Sequence, residues 1–288
     1  MLRVCTMIGC VALSAAWAAA DTATFAPSKD NTLYQSDPTT DLSNGQGAHL
    51  FVGVTSGGRV RRALVAFDVS AIPAGATVTG ATLTMFMDRT AALSADVSLH
   101  RLTADWGEGT SDAGEPGGSG TLATVGDATW NYGVYNTVHW TAVGGDYAPA
   151  GSSATTVSSP GVSYTWGAEG GLVSDVQAWL DAPGANHGWI MIGDESGLGT
   201  AMRFDSREGV TPPVLMVTYT PPAHCGSADF NCDNDIGTDA DIEAFFACLA
   251  GSCPAAPCTN SADFNADGDI GTDADIEAFF RVLAGGSC

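Results

Sequence analysis

The 288-residue sequence carries 32 acidic and 10 basic residues, a formal net charge of −22, and Lys29 is its only lysine. Nucleic acids and anionic membranes bind proteins through cationic patches, so this composition argues against both as partners. The length allows one large folded core and a small additional domain.

The first twenty residues have the pattern of a secretory signal peptide. Arg3 forms a short basic region, an apolar run follows, and three alanines precede Asp21 as a small-residue cleavage site. We therefore predict that residues 1–20 are removed and that the protein is secreted or held at the cell surface. No later segment is apolar enough to cross a bilayer, so we expect no membrane span.

Residues 21–220 are predicted to form a mostly β domain, a jelly-roll-like β-sandwich. Short stretches of alternating apolar and polar residues recur between turns rich in Gly, Pro, Asn, Asp and Ser. These stretches are 50–54, 63–69, 81–87, 97–99, 189–192 and 214–219. Residues 107–165 are rich in small residues and predict long loops around a few strands. A short helix is expected over 172–180, and residues 221–224 form a proline-containing linker.

Several segments of this domain have a recognisable sequence. They are Arg61-Arg62-Ala63-Leu64-Val65-Ala66-Phe67-Asp68, Trp106-Gly107-Glu108, Val176-Gln177-Ala178-Trp179 and Phe204-Asp205-Ser206-Arg207-Glu208. On these residues the region 21–220 resembles the DNRLRE-type domain, a secreted β-sandwich family that includes modules classed as carbohydrate-binding. The resemblance implies a sandwich fold and a role in binding polysaccharide.

The region 225–288 contains two copies of one loop–helix unit. Residues 227–251 and 261–285 are identical at 21 of 25 positions, at a constant offset of 34. Each copy opens with an acidic loop, Asp229-Phe230-Asn231-Cys232-Asp233 or Asp263-Phe264-Asn265-Ala266-Asp267. A helix is predicted after each loop, because Ile242, Phe245, Phe246 and Leu249 share one helical face and their counterparts do so in the second copy.

The spacing of oxygen-bearing side chains in these loops predicts calcium binding. Calcium prefers six to eight oxygen ligands, and alternate loop residues direct theirs to one centre. The predicted ligands are Asp229, Asn231, Asp233, Asp235 and Asp241 in the first copy and Asp263, Asn265, Asp267, Asp269 and Asp275 in the second. We expect one ion in each copy, two in all. Asn234 and Gly268 should adopt the left-handed turn at the sixth position, and Ile236 and Ile270 should pack inward.

The closing ligand of each loop has alternatives. Asp239 and Asp273 could replace Asp241 and Asp275. The latter two also fit a capping box with the threonine three residues earlier, in which case they would cap a helix and bind no metal.

The tandem units resemble dockerin domains, which tether secreted polysaccharide-degrading proteins to cohesin receptors. Dockerins carry the closing acid at the twelfth loop position, where Ala240 and Ala274 stand here. The resemblance implies a calcium-dependent docking tail whose partner is a cohesin-like or another surface protein.

Six of the eight cysteines lie at or after Cys225, in a segment predicted to be exported, and this indicates disulfides. Cys232 and Cys248 are both replaced in the second copy, which suggests that they are bonded to each other. By similar reasoning Cys225 would pair with Cys253, and Cys258 with Cys288. Fifteen pairings are possible from sequence alone.

No catalytic motif is evident, and no catalytic residue is assigned. The five histidines share no metal-ligand spacing, and no nucleophile elbow, P-loop or H-E-x-x-H segment occurs. Paired acids could hydrolyse a glycoside. The candidates are Glu108, Glu115, Glu169, Asp194 and Glu195, each of which also fits an ordinary loop acid.

Aromatic and arginine residues are candidates for sugar contacts, because sugar C–H groups suit the face of an aromatic ring. The candidate platform is Trp130, Tyr132, Tyr135, Trp140 and Trp166, although each also fits the sandwich core; Trp179 and Trp189 are expected to be core. Arg59, Arg61, Arg62 and Arg101 could pair with an acidic sugar or with acids on the sheet.

Three functions are compatible with these features. The favoured one is a secreted, non-catalytic polysaccharide-binding protein with a calcium-dependent docking tail, linked to polysaccharide breakdown. The alternatives are a structural or adhesive surface protein and a small polysaccharide lyase or glycoside hydrolase.

Overall fold

The computed structural model describes residues 20–167, 170–221, 225–266 and 268–286. These residues form two units, Ala20–Pro221 and the part of the chain that follows it. The predicted signal peptide, apart from Ala20, and most of the predicted linker lie outside the described residues. No helix among those described is both long and apolar enough to cross a membrane.

The N-terminal unit is built from antiparallel strands and one α-helix. The strands are β1 (Asp21–Phe25), β2 (Pro27–Tyr34), β3 (Leu42–Ser43), β4 (His49–Val54), β5 (Val60–Phe67), β6 (Thr77–Thr90), β7 (Ala95–Arg101), β8 (Thr121–Leu122), β9 (Tyr132–Val134), β10 (Val138–His139), β11 (Ser153–Val157), β12 (Val162–Trp166), β13 (Trp189–Ile192), β14 (Met202–Asp205) and β15 (Val214–Thr220). The helix α1 spans Gly171–Asp181, where the sequence predicted one. This confirms a mostly β fold.

Most of these strands belong to one curled sheet. Its order is β1-β15-β6-β14-β4-β5-β13-β7-β11, with β12 also paired to β6 and β2 to β5. Strand β4 joins the two halves, since His49–Val52 pair with β14 whereas Gly53 and Val54 pair with β5. Gly53 has φ 91°, and a Cβ there would lie 2.6 Å from the Thr200 carbonyl oxygen. A glycine is therefore needed where the sheet turns from one half to the other.

The main core lies between the two halves of the sheet. Alternate residues of β6 point inward, Leu83, Met85 and Met87 among them, and all three are nearly inaccessible to solvent. Trp179 of α1 and Trp189 of β13 are also buried there, with ring centroids 4.5 Å apart. Both tryptophans were predicted to be core, and the structure confirms this.

A second core covers the opposite face of β5 and β13. Leu64 and Ile190 are buried there by Trp106 and Trp140, which belong to the segment between β7 and β11. These two strands are thus buried on both faces, so alternation along them does not identify a solvent-facing side.

The C-terminal unit contains helices α2 (Asp239–Leu249) and α3 (Asp273–Leu283), which confirms the predicted helices. Its interior is filled by Phe230, Phe245, Phe264 and Phe279, and the rings of Phe245 and Phe279 stack at 4.1 Å. Ile236 and Ile270 are 73% and 74% exposed. The prediction that the two isoleucines pack inward is wrong, because the four phenylalanines already occupy the space between the repeats.

Candidate functional site

An arginine-lined cleft lies on the outer face of β4, β6 and β14. The register of these strands pairs Arg203 with Phe51 on one side and with Arg89 on the other, and it pairs Gly53 with Arg61. The cleft has a volume of about 220 Å³. Its lining residues, here called the arginine cleft, are Phe51, Thr55, Arg61, Arg89, Thr90, Ala91, Gly118, Ala201, Met202 and Arg203.

Two of the three arginines in this cleft have no carboxylate partner among the described residues. Arg61 is 6% exposed, and its guanidinium donates to the carbonyl oxygens of Gln35, Val60 and Gly118 while lying 4.7 Å from the ring centroid of Tyr34. Burial lowers the pKa of Arg61. Arg89 is exposed, and no ion pair to it occurs within the described part of the chain.

Arg203 differs, because it is shared between Asp88 and Glu115. The hydrogen bond to Asp88 raises the pKa of Arg203. The cleft therefore presents excess positive charge on an acidic protein, and an anionic ligand is the group that would compensate the two unpaired guanidinium ions.

A larger cavity of about 750 Å³ lies beside Arg62 and Tyr147. Here Arg62 is already neutralised by a two-point pair with Glu195, at 2.8 and 2.9 Å, and lies over the rings of Trp130 and Tyr147. Asp146 accepts the backbone amides of Thr141 and Ala142. In this cavity Arg62 is ion-paired and Asp146 is hydrogen-bonded to backbone amides. The cavity therefore offers less unpaired charge to an ionic ligand than the arginine cleft does.

The predicted aromatic platform is not brought together by the structure. Trp166 and Trp140 are 1% and 6% exposed, and their indole nitrogens donate to the carbonyl oxygens of Val97 and Thr129. Both are core residues, so their assignment as ligand-binding residues is wrong. Trp140 lies in an irregular loop without a clear period, whereas the alternation along β12 (Val162–Trp166) is the signal that would have assigned Trp166 to a strand.

The other three members of that platform are partly exposed. Trp130 packs under Arg62, whereas Tyr132 and Tyr135 meet edge to face at 5.5 Å, and His139 stacks on Tyr132 at 3.9 Å. Tyr132 and Tyr135 are therefore the predicted aromatics that remain available for contact with a sugar.

No sequence motif points to the cleft residues Phe51, Arg89 and Arg203. Phe51 lies in an apolar stretch that predicts a core strand, and Arg203 lies between Met202 and Phe204. A charged residue within an otherwise apolar strand is the signal that would have indicated an outer face with bound partners.

The remaining candidate arginines and acids are mostly paired within the protein. Arg59 pairs with Asp37, and Arg101 lies 3.6 Å from Asp175. Glu108 accepts from Arg207, Glu115 contacts His49 and Arg203, and Asp194 accepts from Ser196. Burial raises the pKa of Glu108. Glu169 lies outside the described residues.

The first acidic loop of the C-terminal unit has the backbone geometry expected of a cation-binding turn. The carboxylate of Asp229 accepts the amides of Asp233 and Asn234 at 3.0 and 3.1 Å, and Asp233 accepts that of Asp235 at 2.8 Å. Asn234 and Gly268 have φ of 71° and 91°, as predicted for the sixth position. The oxygen-only donors Asp229, Asn231, Asp233 and Asp235 suit calcium. Asp267 lies outside the described residues.

Asp241 and Asp275 serve as helix caps. One oxygen of Asp241 accepts the amides of Phe230 and Asn231, and the other accepts the amide and hydroxyl of Thr238. Burial alone would raise the pKa of Asp241, but the hydrogen bonds from Thr238 and Asn231 hold it below the ordinary value. Asp275 makes the same four contacts in the second copy.

These contacts occupy both oxygens, so the geometry favours the capping alternative over a ligand role for Asp241 and Asp275. The exposed Asp239 and Asp273 are then the remaining candidates for the closing ligand.

The disulfides differ from the predicted pairings. Cys232 is bonded to Cys258 and Cys248 to Cys253, so none of the three pairings suggested from the sequence is correct. Cys225 is also disulfide-bonded, and Cys288 lies outside the described residues. Cys232 and Cys248 vary together between the repeats for another reason. Each is bonded to one cysteine of the connection between α2 and the second loop.

The N-terminal unit thus combines a curled antiparallel sandwich with an exposed cleft, an arrangement suited to a carbohydrate-binding module domain. A family model, carbohydrate-binding module family 96, matches residues 21–112, which include β1 to β7 together with Phe51, Arg61 and Arg89 of the cleft. A search of curated proteins finds no match. The family match supports carbohydrate binding as the activity of this unit.

Proposed function

We propose that the protein is a secreted, non-catalytic binder of acidic polysaccharide whose N-terminal unit, a DNRLRE-type domain, holds its ligand in the arginine cleft. The observation that carries this proposal is that Arg61 and Arg89 have no ion pair with a carboxylate among the described residues, in a chain of net charge −22. The family match to residues 21–112 supports the carbohydrate class of the ligand.

The chemistry of the cleft fits a uronate or sulfated sugar unit. A guanidinium presents paired N–H donors that match a carboxylate or sulfate, and Arg61 is held in place by carbonyl acceptors and by the Tyr34 ring. Phe51 forms an apolar floor, 8% exposed, against which a sugar C–H face could lie. The cleft volume suits one sugar unit of a longer chain.

The test is a panel of polysaccharides bound to the full chain: polyuronates, sulfated galactans and neutral glucans. We expect retention on the acidic polymers. Arg89→Ala should weaken this binding about tenfold or more, because one charge-assisted contact is lost. Arg281→Ala removes the same charge from an exposed position in the other unit and should leave binding unchanged.

Equal binding of neutral and acidic polymers, or an Arg89→Ala variant that binds as the unaltered chain does, would refute the cleft assignment. The unfolding curve of each variant should be measured first, so that a folding defect is not mistaken for lost affinity.

For the C-terminal unit we propose a dockerin-like, calcium-dependent docking tail that attaches the protein to a cohesin-like or another surface protein engaged in polysaccharide breakdown. The loop geometry around Asp229 supports the calcium part of this proposal. The exposure of Ile236, Ile270, Phe246 and Phe280 supports a protein partner, and it equally favours the second candidate function, an adhesive or structural surface protein.

A further inference from the structure

A second group of metal-ligating side chains lies in the N-terminal unit, away from the acidic loops. His49 on β4, Asp88 on β6 and Asp205 on β14 each offer one ligand atom, and the three atoms lie within 4.8 Å of one another. Asp205 is directly paired with His49 in the sheet, and β14 also pairs with β6. The strands of the sheet therefore hold the three side chains in place.

One nitrogen of the His49 imidazole, Nδ1, faces this group. The side chain is 12% exposed, and Nδ1 is buried 3.4 Å from an oxygen of Asp205, with no hydrogen-bond partner among the described residues. The side chain of Asp205 is 5% exposed, and its other oxygen accepts the amide of Thr211 at 2.8 Å. A buried nitrogen without a hydrogen-bond partner is unfavourable unless a ligand compensates it.

The other nitrogen of His49 is already engaged. Nε2 lies 2.8 Å from a carboxylate oxygen of Glu115. When Nε2 carries the proton and donates to Glu115, Nδ1 keeps its lone pair and points towards Asp205. Metal-bound histidines commonly have this arrangement, in which a carboxylate orients the ring through the nitrogen that does not bind the metal.

The local charge also favours a cation. Arg203 donates to both oxygens of Asp88 and to Glu115, so a bound ion would share the Asp88 carboxylate with this guanidinium. The buried carboxylate of Asp205 has no ion pair with a lysine or arginine among the described residues. A cation would balance the charge of Asp205.

We propose that His49 Nδ1, Asp88 and Asp205 bind one divalent first-row transition metal ion, of which Zn²⁺ is the best representative. A set of one imidazole and two carboxylates suits such ions, whereas calcium prefers oxygen ligands only. The acidic loops of the C-terminal unit differ in this respect, because they offer only oxygen ligands and place asparagine at the third position. The site does not depend on carbohydrate binding by the cleft.

The test uses the full chain, freed of metal with a chelator and kept in excess calcium so that the acidic loops do not take up the added ion. Zn²⁺ is titrated against a chromophoric chelator, and the bound metal is counted per chain. We expect one high-affinity ion. His49→Gln and Asp205→Asn should each weaken it at least about tenfold. His139→Gln, which removes a histidine outside the group, should not.

The proposal is overturned if the unaltered chain binds no Zn²⁺ under these conditions, or if His49→Gln and Asp205→Asn, still folded, bind it as tightly as the unaltered chain. Should both variants fail to fold, the imidazole ¹⁵N resonances of the unaltered chain decide the matter. Zn²⁺ at His49 shifts one Nδ1 resonance to the position of a metal-bound nitrogen, and no such shift contradicts the site.

Discussion

Asp30 is a carboxylic acid buried in the N-terminal unit beneath the loops that follow β7 and β14. It is fully inaccessible to solvent, one of its oxygens accepts the amide of Arg207 at 2.6 Å, and the other has no hydrogen-bond partner among the described residues. Burial raises its pKa from 3.8 to about 8, with Glu208 and Glu108 acting in the same direction and the Arg207 contacts opposing them. The folded protein therefore keeps a proton on Asp30 at neutral pH.

This proton should make stability fall as the pH rises. Below pH 3.8 Asp30 is protonated in both the folded and the unfolded protein. Between pH 3.8 and about 8 the unfolded protein has lost this proton, whereas the folded protein retains it. The free energy of unfolding then decreases by up to about 1.4 kcal/mol per pH unit. Asp30→Asn should lose this decline, measured by urea unfolding between pH 5 and 8.5.

The matched control for Asp30→Asn is Asp21→Asn, which removes an exposed carboxylate at the start of β1. It should keep the decline with pH seen in the unaltered chain. Carboxylates with lowered pKa values, such as Asp88 and Asp105, act in the opposite direction at acid pH, so the comparison between variants is the informative quantity. A parallel decline in both variants would contradict a protonated Asp30.

At the scale of elements, periodicity predicted the helices and six of the strands, β4, β5, β6, β7, β13 and β15, but neither the other strands nor the faces that they bury. Leu83, Met85 and Met87 take alternate positions in the predicted stretch 81–87 and lie in the core. Strands β5 and β13 are covered on both sides, so the pattern of β5 did not show that Arg61 lines a cleft. The cleft depends on the pairing of strands that are distant in sequence, β4 with β14 and β14 with β6, and no local pattern encodes that pairing.

The disulfide pairings could not be predicted for the same reason as the cleft. They depend on which loops meet in space, and no local pattern encodes this. The bond Cys232–Cys258 closes a segment of 26 residues and Cys248–Cys253 one of 5. A disulfide stabilises a protein by restricting its unfolded chain, and the effect grows with the length of the closed loop. For these lengths we expect about 3.5 kcal/mol from the first bond and about 2 kcal/mol from the second. The variants Cys232→Ala/Cys258→Ala and Cys248→Ala/Cys253→Ala should therefore differ, the first being the less stable.

Urea unfolding followed by the far-ultraviolet circular dichroism of α2 and α3 measures this difference. Each double variant is the control for the other, because both remove two cysteines from the same unit. Equal losses of stability, or peptide mapping that links Cys232 to Cys248, would contradict the connectivity described here.

At the scale of the whole molecule, the charge is unevenly distributed. Residues 225–288 contain twelve acidic residues and one basic residue, Arg281, and so account for half of the net charge of −22. Self-repulsion of this density destabilises a compact state. The spacing of the acids predicts a cation here, and the folded loops supply oxygen donors for one. Because Asp241 and Asp275 cap the helices, the alternative closing ligands Asp239 and Asp273 are favoured.

Calcium should therefore stabilise the C-terminal unit more than salt does. An ion that binds only the folded state adds about 2.7 kcal/mol at a concentration one hundred times its dissociation constant, which corresponds to a rise of several degrees in the melting temperature of a small domain. Chelator should reverse this rise, whereas sodium chloride only screens the repulsion. Asp229→Asn should reduce the bound calcium from two ions to one, and so should Asp263→Asn.

Glu243→Gln tests whether these effects are specific to the loops. Glu243 is an exposed acid on α2, so the substitution removes one negative charge from the same unit without touching a proposed ligand. Its calcium stoichiometry should remain two, and its melting temperature should respond to chelator as that of the unaltered chain does. If Glu243→Gln and Asp229→Asn lower calcium uptake equally, the ions are held by the diffuse charge of the unit and the acidic loops are not discrete sites.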